Sequence, residues 1–242
     1  MRIIFLGTGN AFASGGRNAM AILLLTDGLG VLLDCGPTTL VALKKLGLSP
    51  SDIDVILLSH HHGDHFAGVP FLVLHECYDG SRTKPLSVYG PEGTCEKLTQ
   101  GLEWLFPGIG TLPFALEYCD QKPGDVLRVA ALEARPFEVD HYSRGKAFGY
   151  RVSLDGSVVV FSGDTAWTEA LVTQTVGADL FICECSSFER PVEKHMTHRD
   201  LERHRTRIGA KRTLLVHAGD DVLKREQDLV FELAYDGMEV TL

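Results

Sequence analysis

The chain has 242 residues, 45% of them hydrophobic and 23% charged, with a formal net charge of −9. That length and balance suit a globular protein with a sizeable buried core and exclude an intrinsically disordered chain. The negative total repels phosphate backbones, which argues against broad binding to DNA or RNA and leaves room for a small anionic substrate in a local basic pocket.

In chain order, the opening MRIIFLGTG carries one basic residue and a four-residue apolar run ending in glycine. That is too short for the apolar core of an export signal. The run AMAILLLTDGLGVLLDC is broken by Asp27 and two glycines, so no membrane span is expected. Strands are predicted at 2–6, 20–25, 30–34, 53–58, 86–89, 148–153, 157–161, 179–183 and 213–217, each a short apolar run between turn residues. Helices are predicted between them. TTLVALKKLG offers a threonine cap and a Gly47 stop. TCEKLTQGLEWLF offers a Thr94 cap and a Leu98, Leu102, Leu105 stripe, and THRDLERHRTRIG places Thr197 and Asp200 at capping-box spacing. Strands with helices interspersed in both halves predict a layered α/β sandwich, with residues 1–242 as one domain. The six cysteines contain no CxxC pair and are read as reduced, mostly buried thiols of a cytoplasmic protein.

Apolar runs repeatedly end in a potential metal ligand. The stretch LLSHHHGDHFAGVP packs four histidines and an aspartate into six positions, directly after the strand at 53–58. In an extended loop His60 and His62, two apart, project to one side, and Gly63 permits a turn that aims Asp64 and His65 at a neighbouring position. Three further segments end likewise: FEVDH in His141, FSGD in Asp164 and LLVH in His217. Ligands must converge from several rigid elements to hold an ion. Imidazoles with carboxylates and no thiolate suit Zn²⁺ or Mn²⁺, with iron as a further fit.

These segments, in this order, resemble the metallo-β-lactamase superfamily, and within it the phosphodiesterase branch of ribonuclease Z and small cyclic-phosphate phosphodiesterases. FLGTGNAFASGGRNAMAILL is similar to the branch's opening glycine loop and first hairpin, GVLLDCG to its second strand, and SHHHGDH to its signature. VDHYSRGKAFGYRV, FSGDT, ICECS, KHMTH and LLVHAG follow the later motifs. The resemblance implies a four-layer αββα sandwich. It implies two divalent metal ions, one held by His60, His62 and His141, the other by Asp64, His65 and His217, with Asp164 bridging both. It further implies catalysis by a metal-bridged hydroxide, with His195 as acid or phosphate clamp oriented by Glu184. Asp64, His195 and Glu184 are thus the expected catalytic set. A homodimer is the expected assembly.

Around that set, Ser143, Arg144 and Lys146 follow His141 and form a basic loop suited to a phosphate or carboxylate. Arg17 and Asn18 are candidates to face the site from the first loop. The Gly/Pro-rich stretch 106–113 reads as a connection, with a cover over the cleft as the alternative. His61, His75, His198 and His204 read as supporting, packing or surface residues. The branch's tRNA-gripping basic insertion is not recognisable, and the chain is acidic. The expectation is therefore a small or cyclic phosphodiester, with tRNA or other nucleic acid an unfavoured partner. A thioester or lactone hydrolase would share the metal ligands, and a non-catalytic metal-binding or ligand-sensing module is the alternative of another class.

Overall fold

The structure is a computed structural model that describes residues 1–141 and 147–242. Its first sheet is built from β1 (Arg2–Gly7), β2 (Ala21–Leu25), β3 (Gly30–Leu33), β4 (Val55–Leu57), β5 (Leu86–Pro91) and β6 (Leu116–Gln121). The second holds β7 (Leu127–Val129), β8 (Leu132–Val139), β9 (Ala147–Leu154), β10 (Ser157–Phe161), β11 (Leu180–Glu184), β12 (Arg212–Val216) and β13 (Glu232–Leu233). The chain then returns β14 (Glu239–Thr241) to the free edge of β1, so each sheet has seven strands. Each sheet mixes antiparallel hairpins with parallel pairs, β3–β4–β5–β6 in the first and β10–β11–β12–β13 in the second.

Side chains of a strand alternate between faces, and both faces here are apolar. Ile3 and Phe5 point inward from β1, where they join Ile22, Leu33 and Leu57 against Phe148, Tyr150, Phe161 and Ile182 of the second sheet. Ile4 and Leu6, one position on, join a separate cluster with Ala42, Leu43, Leu72, Val73 and Leu98. Those residues come from α1 (Thr39–Lys45), from α3 (Val69–Tyr78), which follows the single turn α2 (Gly63–Phe66), and from α4 (Thr94–Leu105). On the outer face of the second sheet, Val160, Phe181, Cys183 and Leu215 pack against Leu171, Leu201 and Val222. These belong to α5 (Glu169–Thr175), α6 (His198–His204) and α7 (Asp220–Leu223). Three clusters between four layers make the expected αββα sandwich.

Local expectations met different outcomes. Thr197 and Asp200 form the reciprocal capping box at the start of α6. Thr38 stands at the N-cap of α1, but its hydroxyl accepts from the N–H of Ala19 instead of capping the helix. At α4 the N-cap is Gly93, and Thr94 lies inside the helix with its hydroxyl donating to the Pro91 carbonyl. Of the cysteines, Cys35, Cys183 and Cys185 are buried, whereas Cys95 and Cys119 are exposed, so the thiols are less uniformly buried than expected. None of the described helices is long and apolar enough to cross a membrane.

Candidate metal centre

The loops that leave β4, β8, β10, β11 and β12 meet at one edge of the sandwich. Behind β4 the chain runs through His60 and His62 into α2, which carries Asp64 and His65. The loop at the end of β3 approaches α2 closely: Cys35 N–H donates to the His65 carbonyl at 2.6 Å, and Gly68 N–H to the Cys35 carbonyl at 2.8 Å. A side chain on Gly68 would stand 2.1 Å from the Gly36 carbonyl oxygen. Gly163, between β10 and Asp164, has φ +58 and would bring a Cβ within 2.6 Å of the Phe148 carbonyl oxygen, so glycine is required there on both counts. Asp34 and His217 hold left-handed backbone conformations, φ 56 and 58, at the same edge. Strain of that kind in non-glycine residues persists only where neighbours enforce it. The His217 N–H is tied to the Thr8 carbonyl and that of Asp34 to the Leu57 carbonyl.

Ligand atoms of His60, His62 and His141 lie within 4.8 Å of one another, as do those of Asp64, His65, Asp164 and His217. Asp164 Oδ2 faces both groups: it is 3.9 Å from His60 Nε2 and 3.8 Å from His141 Nε2, and 3.3 Å from Nε2 of both His65 and His217.

The outer hydrogen bonds fix which nitrogen of each ring is free. His141 Nδ1 lies 3.1 Å from the Lys194 carbonyl oxygen and must donate to it. His65 Nδ1 is 2.7 Å from Asp34 Oδ2, an acceptor whose other oxygen takes the Ser59 N–H. The Ser59 hydroxyl donates to Asp34, so it accepts from His60 Nδ1 at 3.0 Å. The Ser186 hydroxyl donates to Glu184 Oε2, so it accepts from His217 Nδ1 at 3.1 Å. In all four rings Nδ1 is the committed nitrogen, so Nε2 is the one that faces carboxylate oxygens; burial lowers the proton affinity of His65, but the charges of Asp164 and Asp34 outweigh it and raise that imidazole well above its usual range. Burial pushes the His60 imidazole well below its usual range, which keeps it neutral. Nε2 of His60 and of His65 is buried with no hydrogen-bond partner among the described residues. Lone pairs facing carboxylates are repulsive unless a cation lies between them, and an N/O donor set of this kind fits divalent metal ions.

His195 and Glu184 lie beside this cluster. Glu184, buried at the end of β11, accepts from the Thr165 N–H, the Ser186 hydroxyl at 2.7 Å and the Met196 N–H at 3.3 Å. Its Oε1 is 3.0 Å from His195 Nδ1. Burial lowers the affinity of His195 for its proton, but the hydrogen bond and charge of Glu184 outweigh it and bring the imidazole up to about 9. His195, His217, Asp64 and Asp164 all line one cavity of about 660 Å³.

Other expectations are corrected here. Arg17 does not face the cavity: its guanidinium donates to the Thr8 hydroxyl and the Ala234 carbonyl. Asn18 bonds Asp236 and the Leu6 carbonyl. Both hold the first loop down instead of reaching substrate. Ser143, Arg144 and Lys146 lie outside the described residues. Residues 106–113 do not line the cavity, and Ile109 and Leu112 pack on the outer cluster of the first sheet, as a connection would. His61 turns away to Thr94, and His75 pairs with Glu76 and Asp79. His198 stacks on Phe188 and His204 on Trp167. Asp34, Ser59 and Ser186 were not singled out as site residues from sequence; the signal available was their position beside the motifs, in DCG, SHH and ECS. Arg190, which lines the cavity, stands in no motif.

Compared with known proteins, residues 1–234 match the family described as anti-Pycsar protein Apyc1. The chain belongs to that family. Ribonuclease Z of Methanosarcina acetivorans is 28% identical over 305 residues, covering 100% of this chain and 98% of the relative. Ribonuclease Z of Ignicoccus hospitalis is 30% identical over 262 residues, covering 89% and 87%. Among solved structures, the short form of human tRNase Z superposes with a TM-score of 0.83 at 25% identity, covering 100% of this chain and 99% of that one. A diphosphatase of the PhnP family superposes at 0.77 with 19% identity and shares the fold. The Apyc1-family chain is thus a metal-dependent hydrolase of the metallo-β-lactamase fold and a ribonuclease Z-like phosphodiesterase. Its use of divalent metal agrees with the His/Asp cluster. A non-catalytic module no longer fits. The expectation against tRNA and other nucleic acids is overturned, because full-length relatives are named ribonuclease Z. Net charge misled here: screening confines electrostatics to about 8 Å, so the local field of a metal site outweighs the total of −9.

Proposed function

We propose that this protein hydrolyses a small or cyclic phosphodiester with two divalent cations, Zn²⁺ or Mn²⁺. His60, His62 and His141 would hold one, Asp64, His65 and His217 the other, with Asp164 shared. The observation that carries this reading is the convergence of four imidazole Nε2 atoms on Asp164, with His195, paired to Glu184, on the wall of the same cavity. When bound, such a pair of ions lowers the pKa of a water and offsets the negative charge that develops on a phosphoryl group under attack.

The chain's own residues supply the remaining steps. Asp64, on the cavity wall, accepts a hydrogen bond from the incoming water. With Nδ1 committed to Glu184 Oε1, the imidazolium of His195 carries its second proton on Nε2. That proton goes to the leaving oxygen, or it clamps a phosphoryl oxygen. Arg190 supplies a positive charge to the cavity wall for an anionic substrate.

A second reading, cleavage of an RNA phosphodiester, is favoured by the relatives named ribonuclease Z. Rates on a 3′,5′-cyclic mononucleotide, an RNA with a 3′ extension, a thioester and a lactone separate the possibilities. The proposal expects metal-dependent hydrolysis of the cyclic diester, reduced about 10²–10⁴-fold by His195→Ala. RNA cleavage without cyclic-diester cleavage favours the second reading. Thioester or lactone cleavage indifferent to His195→Ala, without phosphodiester turnover, sinks both.

A further inference from the structure

We infer that Phe12 is a stacking platform for the nucleobase of the substrate; the inference deepens the phosphodiesterase reading and rests on it. Phe12 is 88% exposed, yet it lines the same cavity as His62, Asp64, Asp164, His195 and His217. Among the described residues, the other large apolar side chains left exposed, Trp104 at 89% and Tyr78 at 67% among them, do not line that cavity.

The loop that carries the ring is held in place. Asn10, 7% exposed, accepts at Oδ1 from the N–H groups of Phe12, at 3.1 Å, and Ser14, at 3.2 Å. Its Nδ2 donates to the Ser14 hydroxyl at 3.1 Å. Ala13 takes a left-handed conformation, φ 51, which turns the chain back, and the Gly15 N–H donates to Asp220 Oδ1 at 3.1 Å. These bonds hold the backbone that carries the ring, so little more than the side-chain torsions of Phe12 is lost when a flat group covers it. The described part of the cavity is otherwise walled largely by carboxylates, imidazoles, serines and Arg190. These suit a phosphate and a sugar, while the ring offers its face to the planar remainder. Stacking on one aromatic side chain tolerates any base and is worth on the order of tenfold or more in affinity.

The test is calorimetric binding of a nucleoside 5′-monophosphate and of ribose 5-phosphate to the metal-loaded protein. The wild type should bind the nucleotide about tenfold tighter than the sugar phosphate. Phe12→Ala should abolish that difference while leaving ribose 5-phosphate affinity unchanged, and Phe12→Trp should keep it. Equal affinities in the wild type, or a difference that survives Phe12→Ala, overturns the assignment. The ratio is read without turnover. A preserved ratio with no hydrolysis of any phosphodiester would overturn the reaction proposed above and leave the role of the ring standing. A dinucleotide tells the two sources of the base apart: added affinity from its second nucleotide points to an RNA end, none to a mononucleotide, and either supports Phe12 as the platform.

Discussion

His65 keeps its Nδ1 on Asp34 Oδ2 at 2.7 Å, and His60 keeps its own on a serine that in turn bonds Asp34. One buried carboxylate therefore orients two rings, one in each ligand group. Asp34→Asn should lower divalent-metal affinity about 10–100-fold with little change in the fold, measured by competition with a chelating dye. Glu184 bonds His195 directly and reaches the His217 ring only through the Ser186 hydroxyl, so Glu184→Gln should reduce kcat/KM about 10–100-fold with a smaller loss of metal affinity. Equal losses of the two would instead assign Glu184 to the metal. The His/Asp cluster itself was legible in sequence, because His-x-His-x-Asp-His has little reason to exist without a cation. Asp34 and Ser186 were not, since a single acid or hydroxyl after a strand looks like any turn residue until the fold sets it against a ring.

Among the elements, α2 and the β3 loop depend on the bare backbone of Gly68. Gly68→Ala would press a Cβ to 2.1 Å from a carbonyl oxygen, with no flexible side chain to yield. A loss of about 1–3 kcal/mol of stability is expected, read by urea unfolding. Metal affinity should fall with it, because Asp64 and His65 ride on α2. Of the strands that lead into the His/Asp cluster, β4, β10 and β12 were legible as short apolar runs, whereas β8, LEARPFEV, was not, because charges and a proline interrupt its apolar residues. Nor were β6 and β7, because LEYCDQ and LRV carry charges among half-exposed apolar residues at a sheet edge. α3, VPFLVLHECY, is apolar on more than one face, so its run of hydrophobic residues does not distinguish a helix from a strand. Its contacts with the first sheet and with α4 decide the matter.

At the scale of the molecule, three apolar clusters separated by two sheets leave Cys35, Cys183 and Cys185 without water. Burial raises all three thiols, that of Cys35 to about 12. Their contribution to stability is thus present in full below the unfolded thiol value of about 8.5 and is lost as pH climbs toward the folded one. The urea midpoint should fall between pH 8 and pH 10, and at pH 8 a thiol reagent should label Cys95 and Cys119 well ahead of the buried three. A layered α/β sandwich was legible from strands with helices interspersed in both halves, and the four-layer order from the family resemblance of the motifs. The pairing of β14 with β1 was not, because nothing local links residues 239–241 to residues 2–4. Stripping the protein of metal and returning Zn²⁺ or Mn²⁺ in steps decides whether it is a dinuclear phosphodiesterase. Bound metal and hydrolysis of bis(p-nitrophenyl) phosphate are followed together, with Asp164→Ala alongside. A dinuclear enzyme should show no turnover without metal, a maximum at two equivalents per chain, and loss of both binding and turnover in Asp164→Ala. Full turnover at one equivalent, or turnover that survives in Asp164→Ala, would contradict that assignment.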